Sequence, residues 1–137
     1  MDDPVDEATA TPEEGAVHTA ERTFHREDVE AFDEAAGGDL LRHTDPAPGE
    51  SDDDMVHAML LGTVPSQIAG DIGVLTSGIA FQFHEPVFVG DTITAEWRNT
   101  DVDESDDRYD VTAEVTCTND IGDTVMTVVV EGVVWKE

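Results

Sequence analysis

Lysine is nearly missing from this chain. Lys136 is the only one in 137 residues, and together with five arginines it faces 33 Asp and Glu, for a formal net charge of −27. Such a surface offers phosphates no basic patch, which argues against binding nucleic acid or docking on anionic lipid. Cysteine is equally scarce. Cys117 stands alone, so one chain forms neither an internal disulfide nor a cysteine-based zinc cluster. No apolar run approaches the roughly 20 residues that span a bilayer, and no signal-like apolar stretch follows Met1. These absences lead us to expect a soluble, cytoplasmic protein.

What the chain does contain is concentrated. Hydrophobic residues make up 39% of it, clustered in 79–89, 111–117 and 125–135. The first fourteen residues carry acids, Pro4 and Pro12 without periodicity. We therefore expect an acidic, disordered leader over 1–14 and one folded domain over 15–137, a length that buries roughly 70% of its unfolded surface. A coat this acidic and this poor in lysine resembles that of salt-adapted cytoplasmic proteins from halophilic archaea. Molar salt shortens the Debye length to about 3 Å, which screens most of the self-repulsion.

Periodicity places the elements. Residues 16–24 alternate weakly, as a first edge strand does. Val29, Phe32 and Ala36 then mark one face of a helix, with Glu27 and Asp28 at its positive end and Gly37-Gly38 as its stop. Turn chemistry fills 38–54 and ends in Asp52-Asp53-Asp54, a helix start. Met55 to Val64 is apolar around nearly the whole circumference, so a helix here is buried on most sides. Pro65 ends or kinks it, with Ser66 to Ala69 as a continuation. Four strand signals follow. Ile79, Phe81 and Phe83 share one face, as do Ile93, Ala95 and Trp97, and Val111, Ala113, Val115 and Cys117. Residues 124–135 are apolar on both faces, as in a central strand. One buried helix followed by an antiparallel meander is an α+β domain whose sheet curls around the helix.

Three stretches carry a likeness. They are Phe24 to Phe32 running on to Gly37-Gly38-Asp39 and His43-Thr44-Asp45, then Met55-Val56-His57-Ala58-Met59-Leu60, then Phe83-His84-Glu85-Pro86-Val87-Phe88-Val89-Gly90-Asp91-Thr92. Together they resemble the MaoC-like acyl dehydratases, which include the (R)-specific enoyl-CoA hydratases. The resemblance covers roughly residues 16–135. It implies a hot-dog fold, a homodimer whose sheets join side by side, and reversible hydration of 2-enoyl-CoA to 3-hydroxyacyl-CoA without a cofactor or metal. In that family an Asp and a His of a signature S-G-D-x-N-P-x-H activate water, and a backbone N–H at the start of the buried helix holds the thioester oxygen.

Carried over by position, His43 and Asp39 become the catalytic pair and the Ala58 N–H the oxygen donor. His57 and Met59 line the acyl site, and Arg42 lies near the acyl-CoA. The chain departs from the signature here. Aligned on His43, Gly38 takes the place of the family's Asp, Leu40 of its Asn and Leu41 of its Pro; a one-residue deletion would restore Asp39. Read as residues alone, Asp39 is turn chemistry and His43 a loop histidine. Ser77 and Gly78 read as strand and His84 as turn. No spacing around Glu50 and Asp52 to Asp54 matches an EF-hand. Two other functions stay open. One is a catalytically degenerate hot-dog module that binds acyl-CoA or a partner subunit, favoured by Gly38 and Leu40. The other is an acyl-CoA thioesterase, disfavoured because Met55 to Val64 contains no acid.

Overall fold

The computed structural model describes residues 11–35, 56 and 58–136, and the five strand signals join in a single antiparallel sheet. In chain order the elements are β1 (Val17–Thr23), α1 (Arg26–Ala35), α2 (Ala58–Leu61), α3 (Thr63–Asp71), β2 (Leu75–Phe83), β3 (Thr92–Glu104), β4 (Arg108–Thr118) and β5 (Thr124–Trp135). The spatial order is β1-β3-β4-β5-β2. The expected meander is therefore confined to β3, β4 and β5. The strand after the helices joins the far edge of the sheet, against β5. Strand β5 is central, between β4 and β2; one of its faces, with Val128, Val130 and Val134, is buried, while Val129 and Trp135 on the other are 44% and 53% exposed.

Moving from β2 to β3 means crossing three strand spacings, roughly 14 Å. The segment His84 to Asp91 makes that crossing, and it coincides with the most distinctive of the three quoted stretches. Its polar residues have structural tasks. The Asp91 carboxylate accepts the Phe88 amide at 2.9 Å, Gly90 takes φ of +99°, and the Gly90 amide donates to the Phe24 carbonyl at 2.8 Å. The turn thus clamps the end of β1. Val87, 1% exposed, plugs the core beneath it, and its carbonyl accepts the Val56 amide at 2.7 Å.

Strand alternation puts Ile93, Ala95, Trp97, Val111, Ala113, Val115, Cys117, Val128 and Val130 on one face, and all are buried. The helical segment covers this face with Leu60, Leu61, Val64, Ile68 and Ala69. This is the α+β hot-dog arrangement, a sheet with a helix against it. The opposite face carries Thr94, Glu96, Thr112, Glu114 and Thr116. Pro65 neither ends nor kinks the helix as expected: it lies in the first turn of α3, and the break comes at Gly62. Proline is tolerated in the first turn of α3, whose N–H groups lack intrahelical partners, so the discontinuity lies upstream.

Two polar groups lock this layout. Asn99 is 2% exposed and fully occupied. Its Oδ1 accepts the Trp97 indole N–H at 2.8 Å, its Nδ2 donates to the Glu13 carbonyl at 3.0 Å, and its backbone pairs with Gly15 and Ala16. Of the leader expected over 1–14, residues 1–10 lie outside the described residues, and Glu13 is held by this contact. The second lock is Arg22. Its guanidinium donates to Thr63 Oγ1 at 2.9 Å and to Asp28 Oδ1 at 3.1 Å, and it lies 5.0 Å from the centre of the Phe24 ring. One side chain on β1 thus ties the start of α1 to the start of α3. Asp28 Oδ2 accepts the His25 amide at 2.8 Å, half of a capping box.

Replacing Asn99 with Ala would strand the Trp97 indole N–H in the core. Asn99→Ala should cost about 2 kcal/mol in urea unfolding, whereas a threonine on the outer face such as Thr112→Ala should cost well under half of that. The His25 amide first, and the Arg22 guanidinium after it, hold the Asp28 carboxyl below its ordinary 3.8. A carboxyl lowered on folding stabilises above its unfolded value and loses that contribution as pH falls through the folded one. Asp28→Asn should therefore be less stable than wild type at pH 6, with the gap closing below about pH 4; urea midpoints at fixed salt test this.

Candidate functional site

The face of the helix turned away from the core repeats at helical spacing. Met59, Gly62, Thr63, Ser66 and Gln67 fall at i, i+3, i+4, i+7 and i+8, so they form one stripe. Opposite lie Thr76, Ile79 and Phe81 on the inner face of β2, and between them runs a groove of about 460 Å³. Among the described residues β2 is an edge strand, paired only with β5. No lining residue is charged, in a chain where nearly a quarter of the residues are acids.

A second hollow, of about 290 Å³, lies at the start of α2 between Val56, Leu61, Phe83 and the crossing segment His84 to Val87. Phe81 lines one hollow and Phe83 the other, and their rings stack with centroids 5.7 Å apart. His84 sits on the rim with Nε2 3.0 Å from Thr127 Oγ1. It directly follows β2, and its amide donates to the Val125 carbonyl at 2.8 Å, so it continues the strand's pairing and does not enter a turn. Ser77 and Gly78 lie within β2 as read from the sequence; the Ser77 hydroxyl donates to the Glu131 carbonyl at 3.2 Å across a bulge.

Of the residues singled out from the sequence, Ala58 is the first residue of α2 and Met59 lines the larger groove, 53% exposed. Asp39, Arg42, His43 and His57 lie outside the described residues, as do Glu50 and Asp52 to Asp54. Among the described residues no cluster of three or more His, Cys, Asp or Glu is arranged to hold a metal ion. No described helix is long and apolar enough to cross a membrane. Burial pushes the Cys117 thiol up to about 11, so at neutral pH it is a protonated core side chain rather than a nucleophile.

Met55 to Val64 was read as buried on most sides, and among its described residues Val56, Leu60, Leu61 and Val64 are buried while Met59 is 53% exposed. The exposed stripe continues past this segment to Ser66 and Gln67, which the sequence reading took only as a continuation of the helix. Arg22 was unrecognised as well: its partner Thr63 is 41 residues away, and no local pattern links them. Among the described residues Arg22, Arg98, Arg108 and Lys136 each sit in an ion pair with an acid.

No family model and no curated protein matches this chain. Solved structures do. The (R)-hydratase from A. caviae involved in PHA biosynthesis is similar at 26% identity with a TM-score of 0.74, over 90% of this chain and 97% of that one. The C-terminally truncated HadBC (3R-hydroxyacyl-ACP dehydratase) complex from Mycobacterium tuberculosis is similar at 25% identity with a TM-score of 0.65, over 90% and 98%. The MaoC-like dehydratase from Rhodospirillum rubrum shares the fold, with a TM-score of 0.65 at 16% identity over 92% and 94%. The structural neighbours of this chain thus include hydratases and dehydratases, and the fold it shares with them is the hot-dog fold.

Proposed function

We propose that this chain adds water reversibly to 2-enoyl-CoA thioesters to give 3-hydroxyacyl-CoA, working in the cytoplasm as a homodimer. The observation that carries the reading is the match to an (R)-hydratase over nine-tenths of the chain, joined to an uncharged groove along the helix that begins at Ala58. The reaction needs only proton transfers around a polarised thioester. His43 takes a proton from water as its oxygen bonds to the β-carbon, and Asp39 orients that water and exchanges the proton that the α-carbon gains. The Ala58 N–H holds the oxygen on which negative charge develops. His57 and Met59 line the acyl site, and Arg42 meets the CoA.

The free edge supports the dimer. Strand β2 reads Leu-Thr-Ser-Gly-Ile-Ala-Phe-Gln-Phe, without a charge or proline to guard it. Leu75 is 64% exposed, Ile79 41% and Phe83 43%. An unguarded apolar edge favours pairing with another strand. A second copy meets it without setting acid against acid and would roof the groove. The acidic coat fits work at high salt, where self-repulsion and repulsion of CoA are both screened. A catalytically degenerate binding module is the second reading, favoured by Gly38 and Leu40 at the signature positions.

Loss of the enoyl-thioester absorbance of crotonyl-CoA in molar KCl is the direct assay. His43→Ala and Asp39→Asn should each lower kcat/KM by about 10²- to 10⁴-fold. No turnover with any chain length would end the hydratase reading, and unchanged acyl-CoA affinity in an inactive protein would favour the binding module. KM for crotonyl-CoA should fall as KCl rises from about 0.2 to 2 M, the reverse of a site built on attraction between opposite charges.

A further inference from the structure

Gly62 and Phe81 meet at the floor of the larger groove. A Cβ built on Gly62 would lie 3.0 Å from Phe81 Cζ and 3.1 Å from Cε1, closer than side chains normally approach. The edge of the Phe81 ring therefore occupies the space that a side chain at 62 would take. Phe81 is held there by the core on one side and by the Phe83 stack on the other. The groove is apolar only over a short stretch, from Met59 past Phe81 to Ile79. At its other end Ser66, Gln67 and Thr76 replace hydrocarbon with hydroxyl and amide groups.

We propose that Phe81, seated against Gly62, is the specificity-determining residue of the groove and confines it to short acyl chains. The inference rests on the reading of this chain as an acyl-thioester enzyme and adds which acyl group it accepts. The occupant is a neutral hydrocarbon, because the lining carries no charge while the rest of the surface is strongly anionic. Two features stop that hydrocarbon from extending. The Phe81 ring closes the space toward the core. At the open end, a longer chain would cover the Ser66, Gln67 and Thr76 polar groups without pairing them, which costs more than burying the added methylenes returns.

The test uses saturated acyl-CoAs of four to twelve carbons, which have no double bond to hydrate, so binding is measured apart from chemistry. In molar KCl, calorimetric affinity for the wild type should rise with chain length only over the shortest members and then level off. Phe81→Leu should move that break outward by at least two carbons, with a gain of about fourfold for each methylene newly buried. Gly62→Ala should move it inward, and Gly62→Ala/Phe81→Leu should return it close to the wild-type position. Phe81→Leu is the conservative arm, since leucine keeps most of the core contact, and circular dichroism confirms that each variant is folded. If the wild type and Phe81→Leu bind the same series with the same length dependence, the assignment of Phe81 is overturned while the acyl-thioester reading stands. If neither binds any acyl-CoA, both fall.

Discussion

Everything in this fold follows from one mismatch of area: five strands present an apolar face, and the short helical segment from Ala58 to Asp71 does most of the covering. Trp97, Val115 and Val128 lie at the middle of that face and are essentially inaccessible to water. Burying such side chains is worth about 1.5–3 kcal/mol each, and that gain has to outweigh the self-repulsion of a coat with a net charge of −27. The locks around the helix make sense in this light. Arg22 fixes the start of α3 from β1, and the Val56 amide fixes the approach to α2 from the crossing segment. A helix that slid along the sheet would uncover the core at one end.

Cover is complete over β3 and β4 and incomplete over β2. Met59, Ile79 and Phe83 remain between two-fifths and just over half exposed, and the groove is what the helix leaves open. The same shortfall leaves the β2 edge bare. Site and edge are thus one physical feature, apolar surface that the described elements leave exposed. In a protein this anionic, neutral apolar surface is the only part that a hydrocarbon or a second copy approaches without electrostatic cost. Specificity is then a matter of shape, which makes the fit of Phe81 against Gly62 more consequential than any single charge.

Local pattern carried much of the fold. The alternation of β3 and β4, and the double-sided apolar character of β5, place the strands and their inner faces directly. That the helix is interrupted was readable too, although the break falls at Gly62 and not at Pro65. What local pattern does not contain is which strand neighbours which. The period-two signal of β2 is the same at an edge beside β3 as at one beside β5, so the meander was overextended. Asn99 and Arg22 were missed for a related reason: their partners, Glu13 and Thr63, are 86 and 41 residues away. At the site, the apolar circumference of 55–64 correctly signalled burial of Leu60, Leu61 and Val64, while the exposure of Met59 depends on how far the helix covers β2, which no local pattern contains. The catalytic assignment to Asp39 and His43 came from resemblance rather than periodicity, and it remains a proposal.

The charge also bears on how the CoA carrier of the proposed substrate would be held. CoA is anionic, and among the described residues Arg22, Arg98, Arg108 and Lys136 each have an acid within ion-pair distance. On the proposed reading Arg42 is the cation assigned to the CoA, and the rest of the recognition falls to the acyl end and to hydrogen bonds at the thioester. Screening by salt lowers the repulsive part without weakening the apolar part. An acidic coat and a hydrocarbon-reading groove are in this sense compatible: the coat sets the medium in which the groove has the advantage.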